Sequence, residues 1–156
     1  MKTLFFFIIL SFLIKIASAQ DQEKDSLLTL LSNTREDTEK VNVLSILSAN
    51  YSNAFTTNFS NTDSALLLGQ QGLKLAQAIG YKRGEINCRL SLAFYEWVSG
   101  DYATAIKLGY SGLEYAKAMQ DTLLLLSAST VLGRSYRDQG DYKEALNLQR
   151  NIKNRF

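Results

Sequence analysis

The chain has 156 residues, with 17 Lys and Arg against 15 Asp and Glu, no His, no Pro and a single Cys. This length suits one small domain, and the absence of histidine excludes Ser-His-Asp and Cys-His catalysis, His-ligated metals and phosphorylation on histidine within the chain. A lone Cys88 cannot form an internal disulfide or a Cys-based zinc site, so we expect an apolar core to hold the fold, with no metal and no cofactor. We also expect Cys88 to be a buried, inert thiol rather than a reactive one.

Residues 1–19 have the features of a secretory signal peptide. Lys2 precedes an apolar run at positions 4–14, and the small residues at 17–19 form a typical cleavage site. Lys15 ends the run short of the ~20 apolar residues that a membrane-spanning helix needs. Cleavage would leave equal numbers of basic and acidic residues, which does not favour nucleic-acid binding. We therefore predict export to a periplasmic or other extracytoplasmic space.

The rest of the chain has the spacing and end signals of helices joined by short turns. Gly-Asp-Tyr occurs at 100–102 and again at 140–142, where Gly suits the end of one helix and Asp the cap of the next. Asp121 and the stretch at 61–64 offer two further helix starts. The predicted helices lie near residues 22–32, 36–56, 62–79, 82–98, 102–119, 122–138 and 142–155, and no strand is predicted.

An internal repeat with a period of 40 residues organises these helices. The same shift superimposes Ala65 on Ala105 and Ala145, together with many other small and apolar positions. One face of the predicted helix at 102–119 carries only small residues, which are Ala105, Gly109, Gly112 and Ala116. Because these residues are spaced as one helical stripe, we predict that they allow another helix to pack closely, rather than that the glycines break the helix.

The repeated unit resembles the tetratricopeptide repeat. Leu132-Gly133, Tyr136, Gly140-Asp141-Tyr142 and Ala145-Leu146 match the pattern of that family. The resemblance implies an all-α fold in which antiparallel helix-turn-helix units stack as an α-solenoid. The units would lie at about 36–80, 81–120 and 121–156, after a helical lead-in at 20–35. The chain departs from the family in its period, since the usual repeat has ~34 residues, and in lacking the proline that often ends a unit.

A narrower resemblance is to the extracytoplasmic repeat region of sensor histidine kinases and related regulators in Bacteroidetes-type bacteria. The signal peptide and the segments at 25–28, 37–38, 63–66 and 79–84 carry it. The resemblance implies a non-catalytic, sensory part of a longer two-component receptor, attached to a membrane only through a downstream segment. Because the chain stops inside a predicted helix, we expect the last unit to be truncated. The alternatives are a self-contained periplasmic scaffold or adaptor protein and, less favoured, an enzyme with a His-free site.

The tetratricopeptide resemblance places a partner-binding groove along the first helix of each unit. By helical position, the residues predicted to face it are Asn87, Leu90, Phe94, Trp97, Thr130, Arg134 and Arg137. Aromatic rings beside two arginines suit an extended peptide with an acidic group, because Arg binds carboxylates bidentately. The alternative is that Phe94 and Trp97 fill the core and the arginines are only solvated. The expected partner is a protein or peptide and not a nucleic acid, and self-association of the chain stays open.

Overall fold

The structure is a computed structural model that describes residues 26–52 and 62–153, and all regular secondary structure within those ranges is helical. The predicted all-α class is therefore confirmed. The helices are α1 over residues 26–33, α2 (Thr38–Ser52), α3 (Thr62–Ala78), α4 (Lys82–Ser99), α5 (Tyr102–Met119), α6 (Thr122–Gln139) and α7 (Tyr142–Lys153). Their bounds differ from the predicted ones by a few residues where both can be compared. The predicted signal peptide at 1–19 lies outside the described residues, as do the predicted helical residues 22–25, 53–56 and 154–155.

The turns between helices follow from local chemistry. Gly100 and Gly140 adopt left-handed backbone conformations, with φ of 88° and 93°, that glycine reaches without a steric penalty. The carboxylate of Asp101 then accepts a hydrogen bond from the Thr104 amide at 3.0 Å and caps α5. Asp121 caps α6 in the same way, through the Leu124 amide at 3.1 Å. These caps confirm the predicted roles of Gly and Asp in the turns.

Alternate helices lie side by side. The side chains of Arg83 and Asp121, at the starts of α4 and α6, form an ion pair at 2.8 Å. Near the ends of the same two helices, the indole N–H of Trp97 donates to Asp138 at 2.8 Å. Helices α4 and α6 therefore run parallel. Helix α5, which joins them along the chain and contacts both, runs in the opposite direction. Helix α2 packs against α4 as α4 packs against α6, which sets α2, α4 and α6 in one row.

The small residues of α5 lie where neighbouring helices approach closely. Gly109 and Gly112 are buried. A Cβ atom built on Gly109 would lie 2.8 Å from Cγ of Leu132 in α6, and one on Gly112 would lie 2.6 Å from Cδ2 of Leu90 in α4. Both separations are shorter than a carbon–carbon contact permits. The predicted use of this stripe for close packing is confirmed.

The main core runs through α4, α5, α6 and α7. Its buried members are Ile86, Leu90, Ala93, Trp97, Ala105, Leu113, Ala116, Leu124, Leu125, Ala128, Val131, Leu132 and Leu148. The buried hydroxyl of Ser48 on α2 donates to the Ala65 carbonyl on α3 at 2.8 Å. No buried side-chain nitrogen or oxygen in the described part of the chain lacks a hydrogen-bond partner.

The described residues 26–34 belong to a different compact unit from the residues that begin at Arg35. In the described part of the first unit, the Ser32 and Thr34 hydroxyls at the end of α1 donate to the Thr29 and Leu30 carbonyls at 2.8 and 2.6 Å. None of the helices within the described ranges combines the length and the hydropathy needed to cross a membrane.

Candidate functional site

A cavity of about 420 Å³ opens along the row of α2, α4 and α6. We call it the α2–α4–α6 groove, and its lining residues are Asn42, Ser45, Ile46, Ala49, Arg83, Asn87, Leu90, Ser91, Phe94 and Ser127. The side chains combine an apolar floor with amides and hydroxyls, and no carboxylate lines it among the described residues. Its volume falls within the range of common ligand-binding clefts.

The amide and guanidinium groups of this groove differ in whether they already have hydrogen-bond partners within the chain. Asn42 accepts a hydrogen bond from the Tyr81 hydroxyl at 3.3 Å. Arg83 is held by Asp121, which raises the pKa of the guanidinium and lowers that of the carboxyl group. The half-buried Asn87 amide makes no hydrogen bond to another described residue, so it keeps both donor and acceptor capacity. Asn87 can therefore pair with the main chain of an incoming segment.

Beside the groove, an arginine of α6 is stacked on two aromatic rings, of which Phe94 also lines the groove. The rings of Phe94 and Trp97 meet edge to face, with centroids 6.4 Å apart. Cζ of Arg134 lies 4.9 Å from the Trp97 centroid and 5.8 Å from the Phe94 centroid. Both distances are within the range of cation–π attraction. Arg134 makes no ion pair with a described carboxylate, although its charge helps to lower the pKa of the nearby Asp138.

Asp138 anchors this cluster from the side. Its carboxylate accepts hydrogen bonds from Arg137 at 2.7 Å and from the Trp97 indole at 2.8 Å. Arg137, and more weakly the Trp97 N–H, lower the pKa of Asp138. The carboxylate therefore stays charged and holds the indole in one orientation.

Six of the seven predicted groove residues fall on two surfaces, and the seventh, Trp97, lines neither. Asn87, Leu90 and Phe94 line the α2–α4–α6 groove, whereas Thr130, Arg134 and Arg137 line a second groove between α6 and α7. Two of the seven are buried, since Leu90 is 3% exposed and Trp97 is 6% exposed. The indole can be buried because Asp138 accepts its N–H. For Trp97, packing in the core, which is the alternative given above for Phe94 and Trp97, describes the position of the side chain better, and Leu90 is also a core residue.

The second surface is the α6–α7 groove, a cavity of about 780 Å³. Its lining residues are Leu126, Ser129, Thr130, Gly133, Arg134, Arg137, Tyr142, Ala145, Leu146, Leu148 and Gln149. Leu126 is 62% exposed, Tyr142 64% and Leu146 55%. Exposed apolar side chains grouped in this way are typical of interaction surfaces.

Sequence reasoning missed the contribution of α2 and the role of Asp138. The groove residues on α2 have the i, i+3, i+4, i+7 spacing of one helical face: Asn42, Ser45, Ile46 and Ala49. That spacing is the signal from which the contribution of α2 could have been predicted. Asp138 could not be assigned from spacing, because its partner Trp97 is on another helix.

Burial raises the pKa of one cysteine and of one tyrosine in the described part of the chain. Burial raises the pKa of the Cys88 thiol to about 12, and Cys88 is 0% exposed, which confirms the expected burial. The hydroxyls of Tyr110 and Tyr136 lie 3.1 Å apart, where burial and the Tyr110 hydrogen bond raise the pKa of Tyr136. Within the described ranges, no group of three or more Cys, Asp or Glu side chains is placed to hold a metal ion.

Comparisons of the chain with family models, with curated proteins and with solved structures find no match.

Proposed function

We propose that this chain is a non-catalytic protein-interaction module that binds an extended, acidic segment of a partner protein in the α2–α4–α6 groove. The observation that carries the proposal is the Arg134 guanidinium, held on the rings of Phe94 and Trp97. Its planar fork matches a carboxylate, and the stacking limits the freedom that the side chain would lose on binding. The Asn87 amide supplies a second contact, to the main chain of the partner.

The proposed architecture is a tetratricopeptide-like α-solenoid with a period of 40 residues. Two features support it. Helices α4 and α6 begin 40 positions apart, as do α5 and α7. The turns at Gly100 and Gly140 also have nearly the same backbone geometry. Stacked units of this kind leave an extended surface along one row of helices, which suits a partner in extended conformation.

We further propose that the chain is exported and serves as the extracytoplasmic sensory part of a longer two-component receptor. The features of residues 1–19 and the narrower family resemblance support this proposal. The alternative is a self-contained periplasmic scaffold or adaptor. Reading the encoding DNA past the Phe156 codon separates the two. A frame that continues into further repeats, a ~20-residue apolar span and a kinase supports the receptor, and an immediate stop supports the scaffold.

Peptide selection tests the binding proposal. Random 12-residue peptides displayed on phage are selected on the chain, and the affinities of the winners are measured by fluorescence anisotropy. We expect acidic winners whose affinity falls at least about tenfold in Arg134→Gln or Asn87→Ala, because each substitution leaves a polar group of the peptide without its partner. Arg150→Gln is the matched control, since Arg150 is exposed on α7 and lines neither groove. Winners that bind all three variants equally would show that the proposed groove is not the binding surface.

A further inference from the structure

Two side chains of α6 contact the Trp97 indole at different places. Asp138 accepts a hydrogen bond from its N–H at 2.8 Å, and Cζ of Arg134 lies 4.9 Å from the ring centroid. Arg134 and Asp138 are four positions apart, so they share one face of the helix. The indole itself comes from α4, is 6% exposed and belongs to the main core. One ring of α4 therefore links Arg134 to a carboxylate that lines neither groove.

The hydrogen bond determines which part of the ring Arg134 meets. An indole has a single N–H donor, which points outward in the plane of the ring, so its acceptor fixes how the ring is turned. An aromatic ring is electrically negative on its face and positive at its edge, and a guanidinium is attracted to the face. Without the Asp138 acceptor the ring would turn toward another one, because leaving a buried donor unpaired is costly. The face would then no longer lie beneath the guanidinium.

Arg137 is engaged by Asp138. Its Nε donates to one carboxylate oxygen at 2.7 Å and a terminal nitrogen donates to the other at 3.1 Å, and this second oxygen also accepts the indole N–H of Trp97. Arg134 makes no such ion pair with a described carboxylate. Of the two arginines that the sequence predicts in the groove, Arg134 is therefore the one available to bind an anion.

The charge and the hydrogen bond of Asp138 act on anion binding in opposite directions. The side chain is 29% exposed, and attraction to Arg134 contributes to its lowered pKa. Its negative charge would repel a carboxylate bound by Arg134, whereas its hydrogen bond to Trp97 keeps the ring face under the guanidinium. Two substitutions separate these effects. Asn removes the charge but keeps an acceptor oxygen, and Leu, of similar size, removes both.

We propose that Asp138 is a positioning residue for Arg134, acting through its hydrogen bond to the Trp97 indole. The bond keeps the ring face beneath the guanidinium, so that the planar fork of Arg134 is ordered before a carboxylate arrives. Ordering a side chain in advance lowers the entropy lost on binding and so raises the affinity. This inference rests on the proposed function, in which Arg134 binds the acidic segment. It assigns the larger effect to the hydrogen bond of Asp138 and not to its charge.

The first test needs no ligand and measures how mobile Arg134 is. In the isotopically labelled chain, nuclear relaxation of the Arg134 Nε–H signal gives the order parameter of the guanidinium. We expect the same value in the unchanged chain and in Asp138→Asn, and a fall to about half in Asp138→Leu. Trp97 is the one tryptophan in the sequence, so its single indole N–H signal reports on the hydrogen bond. Glu114→Leu is the matched control and should change neither signal, since Glu114 is an exposed acid on α5 that lines neither groove.

The second test measures affinity for an acidic peptide from the phage selection, by fluorescence anisotropy. Asp138→Leu should bind it at least about tenfold more weakly than Asp138→Asn, which should bind at least as tightly as the unchanged chain because a repelling charge is gone. In an Arg134→Gln background the Asn and Leu variants should bind equally, which a general loss of structure would not produce. Arg137→Gln should weaken binding less than about fivefold, because an exposed ion pair contributes little.

Circular dichroism checks that each variant folds, and Asp138→Ala, which also lacks the charge and the acceptor, replaces Asp138→Leu if the latter does not fold. Equal order of Arg134 in the Asn and Leu variants, or equal affinity, would overturn the proposal. So would a loss in Arg137→Gln as large as in Arg134→Gln, since Arg137 would then contact the peptide itself. If the selection yields no acidic peptide, the proposed function fails, while the mobility of Arg134 still decides the role of Asp138.

Discussion

Two glycines in neighbouring helices should respond in opposite ways to the same substitution. In Gly109→Ala the new Cβ would stand 2.8 Å from Cγ and 2.9 Å from Cδ2 of Leu132, which is 0% exposed and has no space to move into. Overpacking of this kind costs about 1–3 kcal/mol, against a gain of about 1 kcal/mol in helix propensity. In Gly133→Ala nothing lies within 4 Å of the new Cβ, so only the gain of about 1 kcal/mol remains.

The free energies of unfolding of the two variants should therefore differ by about 1–3 kcal/mol, with Gly133→Ala the more stable. Urea denaturation followed by circular dichroism measures the difference, provided that the slope of the free energy against urea is the same in both variants. If Gly109→Ala is as stable as Gly133→Ala, the small residues of α5 do not act through close packing with α6.

Three further predictions follow from other contacts. Trp97→Ala should lower the free energy of unfolding, measured by urea titration, by about 3–5 kcal/mol, because the indole is only 6% exposed. Arg134→Ala should lower it by less than about 1 kcal/mol. Equal losses in the two variants would contradict the burial of the indole. Arg83 lowers the pKa of Asp121 in the folded chain, so the ionised carboxylate stabilises the fold fully above the ordinary Asp pKa of about 3.9 and loses this effect as the pH falls through the lowered pKa. Between about pH 5 and about pH 2 the free energy of unfolding should therefore fall more in the unchanged chain than in Asp121→Asn. Parallel curves of this free energy against pH would count against the ion pair. Cys88, whose pKa burial raises to about 12, should react with a thiol reagent at neutral pH far more slowly in the folded chain than in denaturant; equal rates would show that the thiol is accessible.

The helices and their turns could be predicted from the sequence because their signals are local. Gly100 supplies the left-handed turn and Asp101 the cap within a few residues of each other. The close approach at Gly109 was also predictable, since the small residues recur at helical spacing. Each of these features depends on residues that are neighbours along one helix or turn.

The candidate site was less predictable because it depends on contacts between helices. Helical position identifies a face of α4, but it does not show that Trp97 turns into the core where Asp138 accepts its N–H. Nor does it show that Arg134 of α6 stacks on the rings of Phe94 and Trp97 in α4. The exposure of Leu126 depends on whether another helix covers it, which no pattern within α6 reveals.

The most direct test of the central claim is a map of amide chemical-shift changes in the isotopically labelled chain, recorded as an acidic selected peptide is added. The proposed peptide site predicts changes concentrated at Ile46, Asn87, Phe94 and Arg134, along the row of α2, α4 and α6. Changes concentrated instead on the exposed residues of α3 and α5, such as Leu67 and Lys107, would contradict it.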